Sequence, residues 1–200
     1  MAQQHLGAID AAVAALRAGK LVVMPTDTVY GVAAALDVPD AIAAIFALKG
    51  RSEDRPLPVL GASSQALESI VAFDDRARRL ADKFWPGPLT LVLPRAAEFG
   101  ADLGAGAEDS VGVRVPGSEL ALQLLKSSGP LAVTSANRSG EPAAATVAEA
   151  RASLGDGVAV YLDEGPAQGT ESTVLSLVGE PTILRPGALN ADELLQLATS

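Results

Sequence analysis

The sequence contains no cysteine and a single histidine, His5, near its N-terminus. The first absence excludes disulfides, thiol nucleophiles and cysteine-ligated metals. The second leaves no basis for a Ser–His–Asp triad or a histidine metal site, since His5 stands beside an end expected to fray. Aromatic residues make up only 4% of the 200 residues, so Ala, Val and Leu must fill any core. No apolar run approaches the length of a membrane span. The opening MAQQHLGAIDAAV lacks a basic segment followed by an apolar stretch, so a signal peptide is not expected, and a soluble cytoplasmic protein is. Basic charge is scarce: 15 Lys and Arg face 24 Asp and Glu, a net charge of −9. That balance argues against a general electrostatic grip on nucleic acid, while leaving room for a local basic cleft. The glycine-rich phosphate loops are missing too, with neither GxxxxGK[ST] nor GxGxxG after a strand.

What is present is 48% hydrophobic residues, enough for a substantial core. Helical spacing predicts a helix over 8–18, with Ile9, Val13 and Leu16 on one face and Gly19 past its end. Leu21-Val22-Val23-Met24 reads as a short buried strand that Pro25 ends. Gly31 then allows either a positive φ or the close approach of another backbone. A helix is expected over 37–48, started near Asp37 or Asp40. Further helices are expected from Ser63 or Ser64 to Val71, over 74–84 and over 118–126. The pairs Thr146/Glu149 and Asn190/Glu193 promise capping boxes for two more. Strands are expected over 57–60, 89–93, 110–115, 131–133, 158–162 and 173–178. Gly179-Glu180-Pro181 reads as a hairpin turn into a strand over 182–184. The stretch 95–109, with Gly100, Gly104 and Gly106, reads as a mobile loop. Interleaved strands and helices without a repeat predict one α/β domain over 1–200. The hairpin predicts antiparallel pairing and hence a mixed sheet.

Small polar groups recur at strand ends: Thr26-Asp27-Thr28, Ser110, Thr134-Ser135-Ala136-Asn137 and Glu171-Ser172-Thr173. Cations stand beside strands or helix ends at Lys49, Arg51, Arg114 and Arg185. Arg114 interrupts a Val–Gly–Val alternation on the face opposite the valines, where a guanidinium needs an anion, a carboxylate or water. Lys49 and Arg51 also fit the end of a helix electrostatically, and the hydroxyls also fit plain turns. Gathered together, such groups suit an anionic, phosphate-bearing ligand.

The same stretches, in order, resemble the YrdC-like family of threonylcarbamoyl-AMP synthases. They are PTDTVYG (25–31), KxR (Lys49 and Arg51), WPGPLT (85–90), VRVP (113–116), SAN (135–137), ESTV (171–174) and LRPG (184–187). The length is similar to that of short, single-domain members; longer relatives carry a further C-terminal domain. The resemblance implies a twisted mixed parallel/antiparallel sheet with flanking helices around a concave cleft. It implies that L-threonine, bicarbonate and ATP give threonylcarbamoyl-AMP and pyrophosphate, magnesium accompanying the ATP without a tightly bound cofactor. The product would pass to proteins that modify an adenosine of tRNA.

By the same resemblance, Thr26, Arg114 and Ser172 hold threonine, with Arg114 as a clamp on its carboxylate. Lys49 and Arg51 are the catalytic cations on the phosphates. Together with Ser110, Ser135, Asn137 and Arg185 they hold the nucleotide. Asp27 and Thr28 have supporting roles. Leu60 stands where many relatives have histidine, and Arg55 where they often have Asn or Lys. Capture of carbon dioxide by an amine and attack of the carbamate on an α-phosphate need positioning and charge neutralisation more than a protein nucleophile. Two other readings use the same residues: a non-catalytic module binding double-stranded RNA or tRNA in the cleft, and a carbamoyl-adenylate domain like those inside hydrogenase-maturation proteins.

Overall fold

The structure, a computed structural model, describes residues 2–105, 107 and 109–199, and of residues 2–5 the backbone only. Gly106 of the expected loop and the His5 side chain lie outside the described residues. Among those described, nine strands form one sheet in the order β7-β1-β2-β6-β3-β5-β4-β8-β9. They are β1 Val22–Met24, β2 Gly31–Ala35, β3 Val59–Leu60, β4 Leu89–Pro94, β5 Ser110–Arg114, β6 Leu131–Ser135, β7 Val160–Tyr161, β8 Thr173–Ser176 and β9 Thr182–Arg185. Pairs β1–β7, β3–β5 and β4–β8 are parallel, and the other five are antiparallel. The mixed sheet expected from the sequence is therefore present, and β8–β9 is the antiparallel hairpin over Gly179-Glu180-Pro181.

Helices cover both faces, and alternation along the strands decides which residue meets which. Val22 and Met24 of β1, with Ala33 and Ala35 of β2, pack on α1 (Ala2–Arg17) and α5 (Glu119–Ser128) through Ile9, Leu16, Leu120 and Leu124. Leu21, Val23, Val32 and Ala34 point the other way. There they meet α2 (Pro39–Lys49) through Ile42, Ile45 and Phe46. That face is completed by α3 (Ser64–Leu67), α4 (Asp75–Phe84), α6 (Val147–Leu154) and α7 (Ala191–Thr199).

Several elements depart from expectation for identifiable reasons. The strand β2, Gly-Val-Ala-Ala-Ala, is buried at every position, so it shows no alternation and has little intrinsic strand preference. Gly31 serves the close-approach alternative: a Cβ there would stand 2.6 Å from Val133 Cγ1. Helix α1 starts earlier, at Ala2, in a stretch of helix-forming Ala and Gln. Helix α2 starts at Pro39, with Val38 rather than Asp37 at the cap. Helix α3 is capped by Ser63 as expected but ends at Leu67, well short of Val71, which bridges to Arg95. The Thr146/Glu149 box is complete. The second box is half made: the Glu193 amide donates to Asn190 Oδ1, while the Glu193 carboxylate pairs with Lys83 at 2.8 Å.

The glycine-bearing stretch after β4 is organised around one side chain. The Arg95 guanidinium donates to the carbonyls of Phe99, Ala101 and Ala107 at 2.6–2.9 Å and stacks on the Phe99 ring. Leu103 is fully buried, and its carbonyl accepts from the Leu57 amide.

Candidate active site

A cavity of about 430 Å³ opens on the sheet and is lined from seven adjacent strands, β2 through β9 in sheet order. Its wall takes Gly31 from β2, Val133, Thr134 and Ser135 from β6, and Leu60 from β3. Ser110, Gly112 and Arg114 come from β5, Thr90 and Val92 from β4, Val174 from β8, and Leu184 and Arg185 from β9. The recurring spacing of two is that of residues sharing one sheet face. Register sets Gly31 directly opposite Ser135.

Between β1 and β2 the chain turns through Thr26, Asp27 and Thr28. The Thr26 hydroxyl donates to the Val29 carbonyl at 2.6 Å and accepts from the amides of Thr28 and Val29. It therefore caps its own turn and lines the cavity at once. Tyr30 is fully buried; its hydroxyl donates to Asp163 Oδ1 and the Gly165 carbonyl. Burial, with Asp163 adding to it, pushes its pKa up to about 12, so it stays a donor.

Three of the recurring motifs converge on Arg114. Its Nε donates to the Gly87 carbonyl at 2.9 Å, Nη1 to Thr28 Oγ1 at 2.8 Å and Nη2 to Asp27 Oδ1 at 2.6 Å. Gly87 is required there, because a Cβ would lie 2.4 Å from the Phe84 carbonyl. Five guanidinium N–H groups minus these three contacts leave two. The side chain is only 6% exposed, and burial is the chief influence lowering its pKa, opposed by Asp27.

At the β9 end of the cavity Arg185 Nη1 pairs with Glu171 at 3.1 Å. Its Nη2 donates to the Ser172 carbonyl and hydroxyl. The Ser172 hydroxyl is also 2.8 Å from that of Thr90. Arg51 donates to the carbonyls of Arg55 and Pro56. Burial, then the charges of Arg55 and Arg185, press its pKa below the ordinary value. Cations crowded in this way favour an incoming anion.

Thr26, Arg51, Ser110, Arg114, Ser135, Ser172 and Arg185 thus share one cavity. Lys49 and Asn137 are not brought to its wall. Lys49 ends α2 only 3% exposed, and its ammonium donates to the carbonyls of Ser135 and Asn137 and to Asn137 Oδ1. The Asn137 amide group donates to the carbonyls of Arg138 and Glu141. The lysine sits behind the strand end that presents Ser135, and desolvation, followed by Arg51, lowers its pKa to about 8. Sequence reasoning gave no role to Thr90 or the Gly87 carbonyl, and it named Glu171 among the strand-end polar groups without assigning it one. Thr90 left a signal as the one hydroxyl in the apolar run Leu89 to Leu93.

A mixed sheet with helices on both faces, opening on a cavity rich in arginine and hydroxyl groups, defines an α/β protein of the YrdC-like type. The chain belongs to the Sua5/YciO/YrdC family, described as telomere recombination, whose sequence pattern matches residues 14–187. A Mycobacterium tuberculosis protein is 44% identical over 198 residues, 98% of this chain and 91% of its own. The threonylcarbamoyl-AMP synthase of Pyrococcus abyssi is 42% identical over 184 residues, 90% of this chain; this chain spans 54% of that longer protein. The Pyrococcus abyssi Sua5 crystal structure with L-threonine superposes with a TM-score of 0.89 at 39% identity, covering 94% of this chain and 56% of that one.

Proposed function

We infer that this protein is a threonylcarbamoyl-AMP synthase. The amine of L-threonine takes up carbon dioxide from bicarbonate, losing a proton. The resulting carbamate oxygen attacks the α-phosphorus of ATP, and the bond to the bridging oxygen breaks to release pyrophosphate. The observation that carries this reading is the single cavity joining Arg51, Arg114 and Arg185 to the hydroxyls of Thr26, Ser110, Ser135 and Ser172, in a chain of this family. Arg114 and Thr26 orient threonine, with Ser172 beside it. Arg51, Arg185, Ser110 and Ser135 take the nucleotide, and Lys49 and Asn137 shape the strand end that carries Ser135. Charge neutralisation at the phosphates and alignment of the carbamate supply the rate.

Among the described residues, no group of three His, Cys, Asp or Glu side chains is placed to hold a metal. Glu171, the one carboxylate among the described residues of the cavity wall, is engaged by Arg185. A magnesium ion arriving with ATP would be held by phosphates and water. Among the described residues no helix is long and apolar enough to cross a membrane. The partners we propose are proteins that pass the threonylcarbamoyl group to tRNA, in the cytoplasm.

The test is pyrophosphate release by purified protein with ATP, magnesium, L-threonine and bicarbonate. Release is expected to require both threonine and bicarbonate. Release indifferent to threonine overturns the reading. Turnover with carbamoyl phosphate in place of threonine and bicarbonate points instead to the carbamoyl-adenylate chemistry. Salt-sensitive tRNA binding without turnover points to the RNA module.

A further inference from the structure

Asp27 does not line the cavity, yet among the described residues it is the only acid in contact with Arg114. Its Oδ1 accepts from Arg114 Nη2 at 2.6 Å and from the Gly117 amide at 2.7 Å. The remaining contacts of the guanidinium, Gly87 O and Thr28 Oγ1, are neutral. Every nitrogen of the guanidinium is therefore tied, and its plane is set before any ligand arrives. The carboxylate also cancels the formal charge of the arginine at a position where both side chains are largely buried, at 6% and 14% exposure. Arg51 has no carboxylate in contact among the described residues: its guanidinium donates to carbonyls, and the charges of Arg55 and Arg185 press on it more strongly than Glu171 and Asp54 oppose them.

Arg114 thus offers N–H groups on a neutral pair, whereas Arg51 and Arg185 face one cavity-lining carboxylate between them, Glu171, and keep net positive charge. A singly charged carboxylate is satisfied by two oriented N–H groups on a neutral pair. A phosphate dianion, whose desolvation is far more costly, demands net positive charge.

We propose that Asp27 is a positioning residue that makes the Arg114 subsite selective for a monoanionic carboxylate and directs phosphate to Arg51 and Arg185. This rests on the synthase reading above. Asp27 keeps the fork of Arg114 aimed and electrically balanced, so the two anionic substrates cannot exchange places.

The test is inhibition by inorganic phosphate at mildly alkaline pH, where phosphate is a dianion, read in wild type and in Asp27→Asn. The substitution keeps an acceptor for Arg114 and Gly117 while removing the charge. In the wild type, phosphate is expected to raise KM for ATP and to leave KM for L-threonine unchanged. In Asp27→Asn, phosphate is expected to compete with threonine as well, its inhibition constant against threonine falling at least about tenfold. A wild type in which phosphate already competes with threonine overturns the proposal, and that arm needs no variant to fold. So does a natively folded Asp27→Asn protein, checked by circular dichroism, whose inhibition pattern matches wild type. Either failure leaves threonine-dependent turnover, and with it the synthase reading, standing. Absence of threonine-dependent turnover in the wild type removes both.

Discussion

Two arginines of the cavity each meet one carboxylate, and the two pairs differ in burial. Arg114 and Asp27 are 6% and 14% exposed and 2.6 Å apart; Arg185 and Glu171 are 43% and 41% exposed and 3.1 Å apart. The inner pair is cross-braced by Gly87, Thr28 and Gly117, so breaking it strands a charge in a poorly solvated place. The outer pair is screened by water and salt, and such pairs contribute about 0–1 kcal/mol. Identical chemistry therefore does two jobs. The inner carboxylate stands behind the wall and fixes its arginine, while the outer one can yield its arginine to a phosphate at small cost.

The largest expected effect comes from breaking the inner pair. Arg114→Ala should raise KM for threonine roughly tenfold to a hundredfold, matching the loss of about 1.5–3 kcal/mol in charge-assisted hydrogen bonds. The measurement is threonine-dependent pyrophosphate release, with circular dichroism as a check on folding; unchanged threonine kinetics would show that Arg114 is not the clamp. Arg114→Lys should also be impaired, because an ammonium cannot reproduce three planar contacts.

Removing the outer arginine is the next largest change. Arg185→Ala should raise KM for ATP about tenfold while KM for threonine moves far less. An equal rise in both would erase the division between inner and outer pairs.

Glu171→Gln is expected to be mild and opposite in direction. With Arg185 released, KM for ATP should fall by about two- to fivefold, and unfolding free energy should change by less than about 0.5 kcal/mol. The difference from wild type should shrink as salt is raised. A large loss of stability would mean that the outer pair is structural after all.

The last effect falls on stability rather than on either substrate and concerns Lys49, a buried cation braced by carbonyls and, among the described residues, in contact with no carboxylate. Its folded pKa of about 8 lies below the ordinary 10.5. Below pH 8 it is protonated in both states, and its desolvation opposes folding in full. Between about 8 and 10.5 only the unfolded chain keeps the proton, so stability from this group rises with pH. Lysine NMR titration should show one midpoint near 8 that vanishes in Lys49→Met. Denaturant unfolding should show the wild type gaining on that variant across this interval.

How much of this was legible in the sequence follows the same divide between local and distant. Ser63, Ser118 and Thr146 announced helix starts because a cap acts within three residues. Leu21 to Met24 read as a strand because four consecutive apolar residues bounded by Pro25 leave few alternatives. Strand β2 did not, because Gly and Ala carry no strand preference and burial on both faces leaves no period to see. Arg114 stood out in its valine alternation, but its choice between ligand and carboxylate depended on Asp27, which only the assembled sheet brings near. Lys49 illustrates the limit most clearly. Its place at the end of a helix was readable, whereas the direction of its side chain, away from the cavity and into the Ser135–Asn137 turn, is set by β6.

The order of the sheet has a kinetic consequence. The cavity spans seven neighbouring strands, with β2 from early in the chain at one end and β9 from its last part at the other. Only the β8–β9 hairpin brings part of it together locally, and the rest waits on pairings between residues far apart in sequence. Such contacts form late and slowly. Nucleotide and amino acid would bind only the finished product, slowing its unfolding while leaving the rate of refolding untouched.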